Sequence, residues 1–215
     1  MKTVLLTFVW VLQLLVMNNH QLHAQTHPMF QPGEYYLHGV MEVASGFRFN
    51  EDLTFDFFFS YGALDRMGKG TWEQQGDSLV LNSPPKPDKD FILIKAEHRS
   101  MPGIIIQISD TNEMVLSYAY CRVQTPQGEM EGESDNRGAI RFEATAVSNI
   151  SLIHQIWPDR FSEFPVDDPS FNYFEFNIDP RIVEVAFDNL VIYLDGENLR
   201  GHHPLMKGDG FKYDR

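Results

Sequence analysis

The chain of 215 residues has one cysteine, Cys121, and therefore no means of closing an internal disulfide. Its fold must rest on an apolar core, which ~190 residues rich in Phe and Tyr are enough to build. Cys121 lies in the apolar and aromatic run VLSYAYCRV, the setting of a buried structural thiol. A reactive thiolate needs a cationic neighbour and access, so a buried structural role is the expectation for this thiol. Positive charge is scarce: 17 Lys plus Arg stand against 30 Asp plus Glu, for a net charge of −13. Such a surface repels nucleic acid and anionic lipid, so neither is expected as a partner. The acids are scattered through patterned segments rather than gathered in a tail, which is the distribution of a solvated exterior.

Catalytic motifs are missing as well. There is no Gly-x-Ser-x-Gly elbow and no HExxH helix. Acid pairs such as Asp52 with Asp56, or Glu131 with Glu133, occur in a chain where acids are common enough to pair by chance. His202-His203 near Asp209 has no second His or Cys pair at ligand spacing, so zinc or copper is not expected there. The acidic loops Asp110 to Glu113 and Asp167-Asp168 lack the alternate ligands, Gly and distal Glu of a calcium loop. No cofactor is expected.

No apolar run reaches the roughly 20 residues of a membrane span. The longest runs from Val4 to Met17, interrupted by Thr7 and Gln13, preceded by Lys2 and followed by a polar stretch that ends in Ala24. That order predicts a cleavable secretory signal at residues 1–24, with Gln25 as the new first residue, the alternative being an uncleaved anchor, for which the run is short. Cleavage removes Lys2 and no acid, which takes the charge from −13 to −14. The expected destination is periplasmic or extracellular, with no membrane span in the mature chain.

What remains is strand-length runs divided by turns: EYYLHGVMEV, GFRFN, LTFDFFFSYG, GKGTWEQQ and DSLVLN. In LTFDFFF the residues Leu53, Phe55, Phe57 and Phe59 share one face, with Thr54 and Asp56 on the other, a period of two. Phe58 falls on the Asp56 face. Sustained helical periods are absent. The clearest break is SPPKPDK at 83–89, where three prolines in four residues cannot donate to a sheet. The expected fold is all-β: an antiparallel meander or half-barrel at 25–83, a Pro-rich linker at 84–89, and an Ig- or transthyretin-like β-sandwich at 90–215.

Two resemblances sharpen this. A strand ending in Arg122-Val123-Gln124-Thr125 leads through Pro126-Gln127-Gly128 to Ser134-Asp135-Asn136-Arg137-Gly138 and the alternating strand Ala139-Ile140-Arg141-Phe142. This resembles the transthyretin-like, carboxypeptidase-regulatory β-sandwich domains, and Ile150 to His154 follows as the next strand of that pattern. The resemblance implies a non-catalytic module, and it fades after Trp157. Gly33-Glu34-Tyr35-Tyr36, Phe49 to Phe55, Gly70-Thr71-Trp72 and Gly76-Asp77-Ser78-Leu79 resemble lipocalin-like half-barrels of exported bacterial proteins. That second resemblance implies a concave apolar face, with Gly70 relieving crowding where the sheet curls.

The segment Tyr61 to Arg66 follows an aromatic run and is expected to be a loop at the mouth of a β scaffold, where binding residues often lie. The candidate ligand-binding residues are Phe58, Tyr61, Asp65, Arg66 and Trp72; no catalytic or metal residue is assigned. The expected role is that of an exported non-enzymatic binding or interaction protein, its partner a protein or a small apolar or polysaccharide ligand. The alternative is a secreted hydrolase of polysaccharide or peptide with its site at the junction of the modules.

Overall fold

The computed structural model describes residues 29–215; the expected signal at 1–24 lies outside the described residues. Five antiparallel strands come first: β1 (Gly33–His38), β2 (Ala44–Phe49), β3 (Thr54–Tyr61), β4 (Leu64–Gln75) and β5 (Ser78–Asn82). Eight further strands follow: β6 (Phe91–Glu97), β7 (Ile104–Ser109), β8 (Ala119–Thr125), β9 (Gly128–Glu133), β10 (Ala139–Phe142), β11 (Asn149–His154), β12 (Ser162–Pro165) and β13 (Tyr173–Ile178). A two-residue β14 (Glu184–Val185) precedes β15 (Leu190–Asp195), β16 (Asn198–Gly201) and β17 (Phe211–Asp214). Helix among the described residues is limited to two 3-10 turns, Glu113–Tyr118 and Pro180–Val183. No helix there is long and apolar enough to cross a membrane.

Strands β1 to β5 pair in sequence, each antiparallel to the next, and the chain end closes the circuit. β17 pairs with β1, β16 with β17, β15 with β16, and β15 with β5, all antiparallel. The result is an eight-stranded antiparallel barrel, with β14 laid parallel on β4 outside the circuit. Its interior is packed with rings. Phe47 meets Phe57 at 5.0 Å, Tyr213 at 5.2 Å, Phe49 at 5.7 Å and Phe187 at 6.1 Å between centroids. Offset and edge contacts of this kind add stability beyond the area they bury. Two glycines of β4 admit the crowding. A Cβ on Gly68 would stand 2.5 Å from the Phe187 ring, and one on Gly70 only 2.0 Å from the Asn82 carbonyl oxygen.

The segment between β5 and β15 folds into two four-stranded sheets, ordered β10-β7-β13-β6 and β12-β11-β8-β9. Inward residues of both, among them Ile106, Ile108, Phe174 and Phe176 from one and Cys121, Val123, Ile150 and Leu152 from the other, form a single hydrophobic cluster. The prolines at 84–87 lie outside any strand, between β5 and β6.

The strands expected to complete the second module therefore divide. β12 and β13, beyond Trp157, stay with the two sheets, whereas β15 to β17 leave them for the barrel. Strand-forming composition reveals that a run is a strand but not which distant strand it pairs with. Val80 lies opposite Val191, and nothing local to either residue records that.

Candidate functional site

Alternation in β3 holds from Phe55 onward. Phe55, Phe57 and Phe59 are buried in the barrel, while Phe58 is 39% exposed on its outer face. Leu53 departs from the expected face: it adopts φ 66° in the turn before β3, its carbonyl accepts from the Trp72 amide, and its side chain is exposed. The turn residue is out of phase with the strand it precedes.

The expected loop at Tyr61 to Arg66 is instead a minimal hairpin, since Tyr61 pairs with Leu64 across Gly62-Ala63, with Gly62 at φ 59°. The five candidate residues do not converge. Phe58, Tyr61 and Asp65 are exposed, Phe58 and Asp65 on the outer face and Tyr61 at the hairpin end of β3, in phase with the inward Phe59. Arg66 and Trp72 point inward on the same strand, and both are buried. Trp72 meets Phe49 edge-on at 5.9 Å and donates its indole N–H to the Asn50 carbonyl. Arg66 donates two hydrogen bonds to Asp159, at 2.9 and 2.6 Å, and further ones to the carbonyls of Val183 and Glu184. Lys86 adds a second cation to Asp159 at 3.4 Å. Burial alone would raise the Asp159 pKa, but Arg66 and then Lys86 outweigh it and hold the carboxyl below its usual value. Arg66 thus fastens the barrel to the two-sheet unit and is unavailable to a ligand.

Phe58 does take part in a groove. Two cross-strand rows run over the outside of β1 to β4. The first aligns Tyr36, Gly46, Phe58 and Met67; the second aligns Glu34, Arg48, Asp56 and Lys69. Pro180, Val183 and Glu184 wall the far side, enclosing about 500 Å³. Gly46 has no side chain, so the rings of Tyr36 and Phe58 lean over it edge to face, 6.2 Å apart. The charged row holds two acids and two cations, and Glu184 of the far wall adds a third acid. Arg48 lies 3.9 Å from Glu34, Lys69 lies 3.6 Å from Glu184, and the Tyr36 hydroxyl donates to Glu34 at 2.6 Å, which raises the phenol pKa. A second groove of about 460 Å³ shares Asp56 and Lys69 and continues past Thr54, Thr71, Asn82 and Ser83.

Sequence reasoning missed Tyr36, Met67 and Glu184. The alternation of GEYYLH carried the signal for Tyr36, since Tyr35 is buried and its neighbour must face out. Glu184 had none, because the crossover that places it is long-range.

One buried pair has the elements of a nucleophile and base. Ser45 Oγ lies 3.0 Å from His203 Nε2, both inside the barrel. However, His203 Nδ1 accepts from the Leu205 amide at 3.0 Å, so Nε2 carries the proton and donates to Ser45, whose own hydrogen goes to the Phe58 carbonyl at 2.8 Å. A base must face the hydroxyl with a bare nitrogen, and this one does not. Burial also pushes the His203 pKa down to about 4. His202 points the opposite way, exposed, 3.1 Å from Asp209, so the two histidines do not share a site. Among the described residues, no three His, Cys, Asp or Glu side chains gather as a metal site would require. Burial pushes the Cys121 thiol up to about 12.

No family model, curated protein or solved structure matches the chain.

Proposed function

We propose that the chain is an exported, non-enzymatic binding protein whose ligand lies across the outer face of β1 to β4. The observation that carries this reading is the joining of an exposed apolar row, Tyr36, Phe58 and Met67, to a charge-balanced row within one groove. Ring faces flanked by paired charges suit a ligand that has an apolar face, polar edges and little net charge, such as a saccharide chain. The two-sheet unit is then a scaffold, read as a β-sandwich of the transthyretin-like kind. In support, Asp135 accepts from the amides of Arg137 and Ala139, and Gly138 takes φ 77°. These are the roles that the Asp-x-x-Gly turn requires.

A hydrolase at the junction finds less support. There Asp159 is held between Arg66 and Lys86, and Asp90 is paired with Arg160, which also donates to the Pro87 carbonyl. Carboxylates neutralised in ion pairs are poor general acids.

A glycan array and the neutral apolar dye Nile red test the reading. One of these probes is expected to bind the wild type, with affinity falling tenfold or more in Met67→Glu, a change at an exposed side chain that leaves the core intact. Binding of neither probe, or equal binding by the variant, overturns the groove as the site.

A further inference from the structure

Among the described residues β6 is an edge strand, hydrogen-bonded to β13 alone. Three consecutive apolar side chains on it are exposed: Ile92 at 44%, Leu93 at 43% and Ile94 at 53%. A strand that packs one face on a core exposes every second residue, so three in a row leave apolar surface on both faces beside an unpaired backbone. Ile94 is also the extra residue of a bulge, since Lys95 lies opposite Glu175 while Leu93 lies opposite Phe176. Bulges and edge lysines normally discourage strand pairing. Here the bulge falls at the end of the apolar stretch and Lys95 follows it, yet the stretch is left uncovered, and so the two restrict the choice of register.

We infer that β6 pairs antiparallel with β6 of a second copy, about a two-fold axis at Leu93. In that register Leu93 meets Leu93 of the partner subunit, and Ile92 meets Ile94 of the partner subunit. Just beyond β6 at each end, Lys89 comes opposite Glu97 of the partner subunit, so no like charges face each other there, although within one chain Glu97 also holds Lys95 at 3.2 Å and Arg99 at 2.7 Å. Shifting the axis to Lys95 would set two like charges face to face, which is destabilising directly across a sheet. Charge also selects a second copy over a basic peptide. The chain carries −13 overall, yet residues 86–99 hold Lys86, Lys89, Lys95 and Arg99 against Asp88, Asp90 and Glu97. Two copies approaching along β6 therefore avoid the repulsion present elsewhere on the surface.

The test combines light scattering with a cross-link. Residues directly opposite in an antiparallel pair lie about 4.5 to 5.5 Å apart at Cα, within disulfide reach. Leu93→Cys should form a disulfide-linked dimer on mild oxidation. Tyr193→Cys, as exposed but on the barrel, should not, and buried Cys121 does not compete. The wild type should scatter at twice the chain mass, and Leu93→Lys at one chain mass with an unchanged melting temperature. A wild type of one chain mass up to its solubility limit, or equal cross-linking at both positions, overturns the pairing.

Discussion

At the scale of single residues, the barrel interior spends its few polar groups on backbone. His203 occupies a ring-lined site, its centroid 5.3 Å from Phe59 and 5.8 Å from Phe57, and joins the Leu205 amide to Ser45. Its pKa is lowered to about 4 by burial, against an ordinary 6.5. Between those values the unfolded chain binds the proton and the folded chain does not, so stability is full above the unfolded value and falls as pH drops through the window. The loss from this group is on the order of 3 kcal/mol by pH 4. Thermal melts at pH 7 and pH 4.5 should show a smaller pH-dependent drop in His203→Gln than in the wild type, even though the variant is less stable at both. His154, also buried with its pKa lowered, supplies part of the remaining slope. An unchanged slope would mean that His203 is hydrated in the folded protein.

At the scale of elements, β3 and β4 show what could be read from residue order and what could not. The inward set Phe55, Phe57 and Phe59 and the outward Phe58 follow from a period of two, and the crowding at Gly70 follows from a glycine beside Trp72 where a long strand changes partner. Leu53 escaped that reading because a left-handed turn residue belongs to neither face. Arg66 escaped because its partner, Asp159, lies 93 residues away. Phe57→Ala should cost about 3 to 5 kcal/mol in urea denaturation, as large-to-small changes in a packed core do. Phe58→Ala removes only the ring that leans over Gly46 and should cost about 0.5 to 1.5 kcal/mol, the value of an aromatic pair. Equal losses would make Phe58 part of the core and remove it from the groove. At Gly70 even a methyl group would meet the Asn82 backbone, which cannot swing aside like a side chain, so Gly70→Ala should lose about 1 to 3 kcal/mol.

At the scale of the whole molecule, the barrel is discontinuous in sequence. The chain leaves it at Asn82, builds two sheets, and returns at Leu190 to pair with β5. Closure of the barrel thus waits on a long connection whose ends must be brought together, and an ordered connection lowers that entropic cost. The junction reinforces the dependence. Arg66 of β4 is held by Asp159 and by carbonyls of the crossover, and the Trp157 indole donates to the Asp65 carbonyl at 3.1 Å. Neither region should then survive the other, and in a chain begun at Gln25, which lacks Trp10, the other two tryptophans can report on them separately: Trp72 inside the barrel, and Trp157 stacked on His154 at 4.5 Å in the two-sheet unit. In urea, the fluorescence of Trp72→Phe should follow the two-sheet unit and that of Trp157→Phe the barrel. Once each curve is corrected for its own loss of stability by circular dichroism on the same sample, both should coincide with global unfolding. Asp159→Asn should then lower the single midpoint by leaving the Arg66 charge buried beside carbonyls alone, and adding Arg66→Met should recover part of the loss, because an unpaired buried charge costs more than an apolar replacement of both partners. Two separated transitions in the wild type would show instead that the barrel closes without the inserted sheets, and that the Arg66 clamp joins two independently folding bodies.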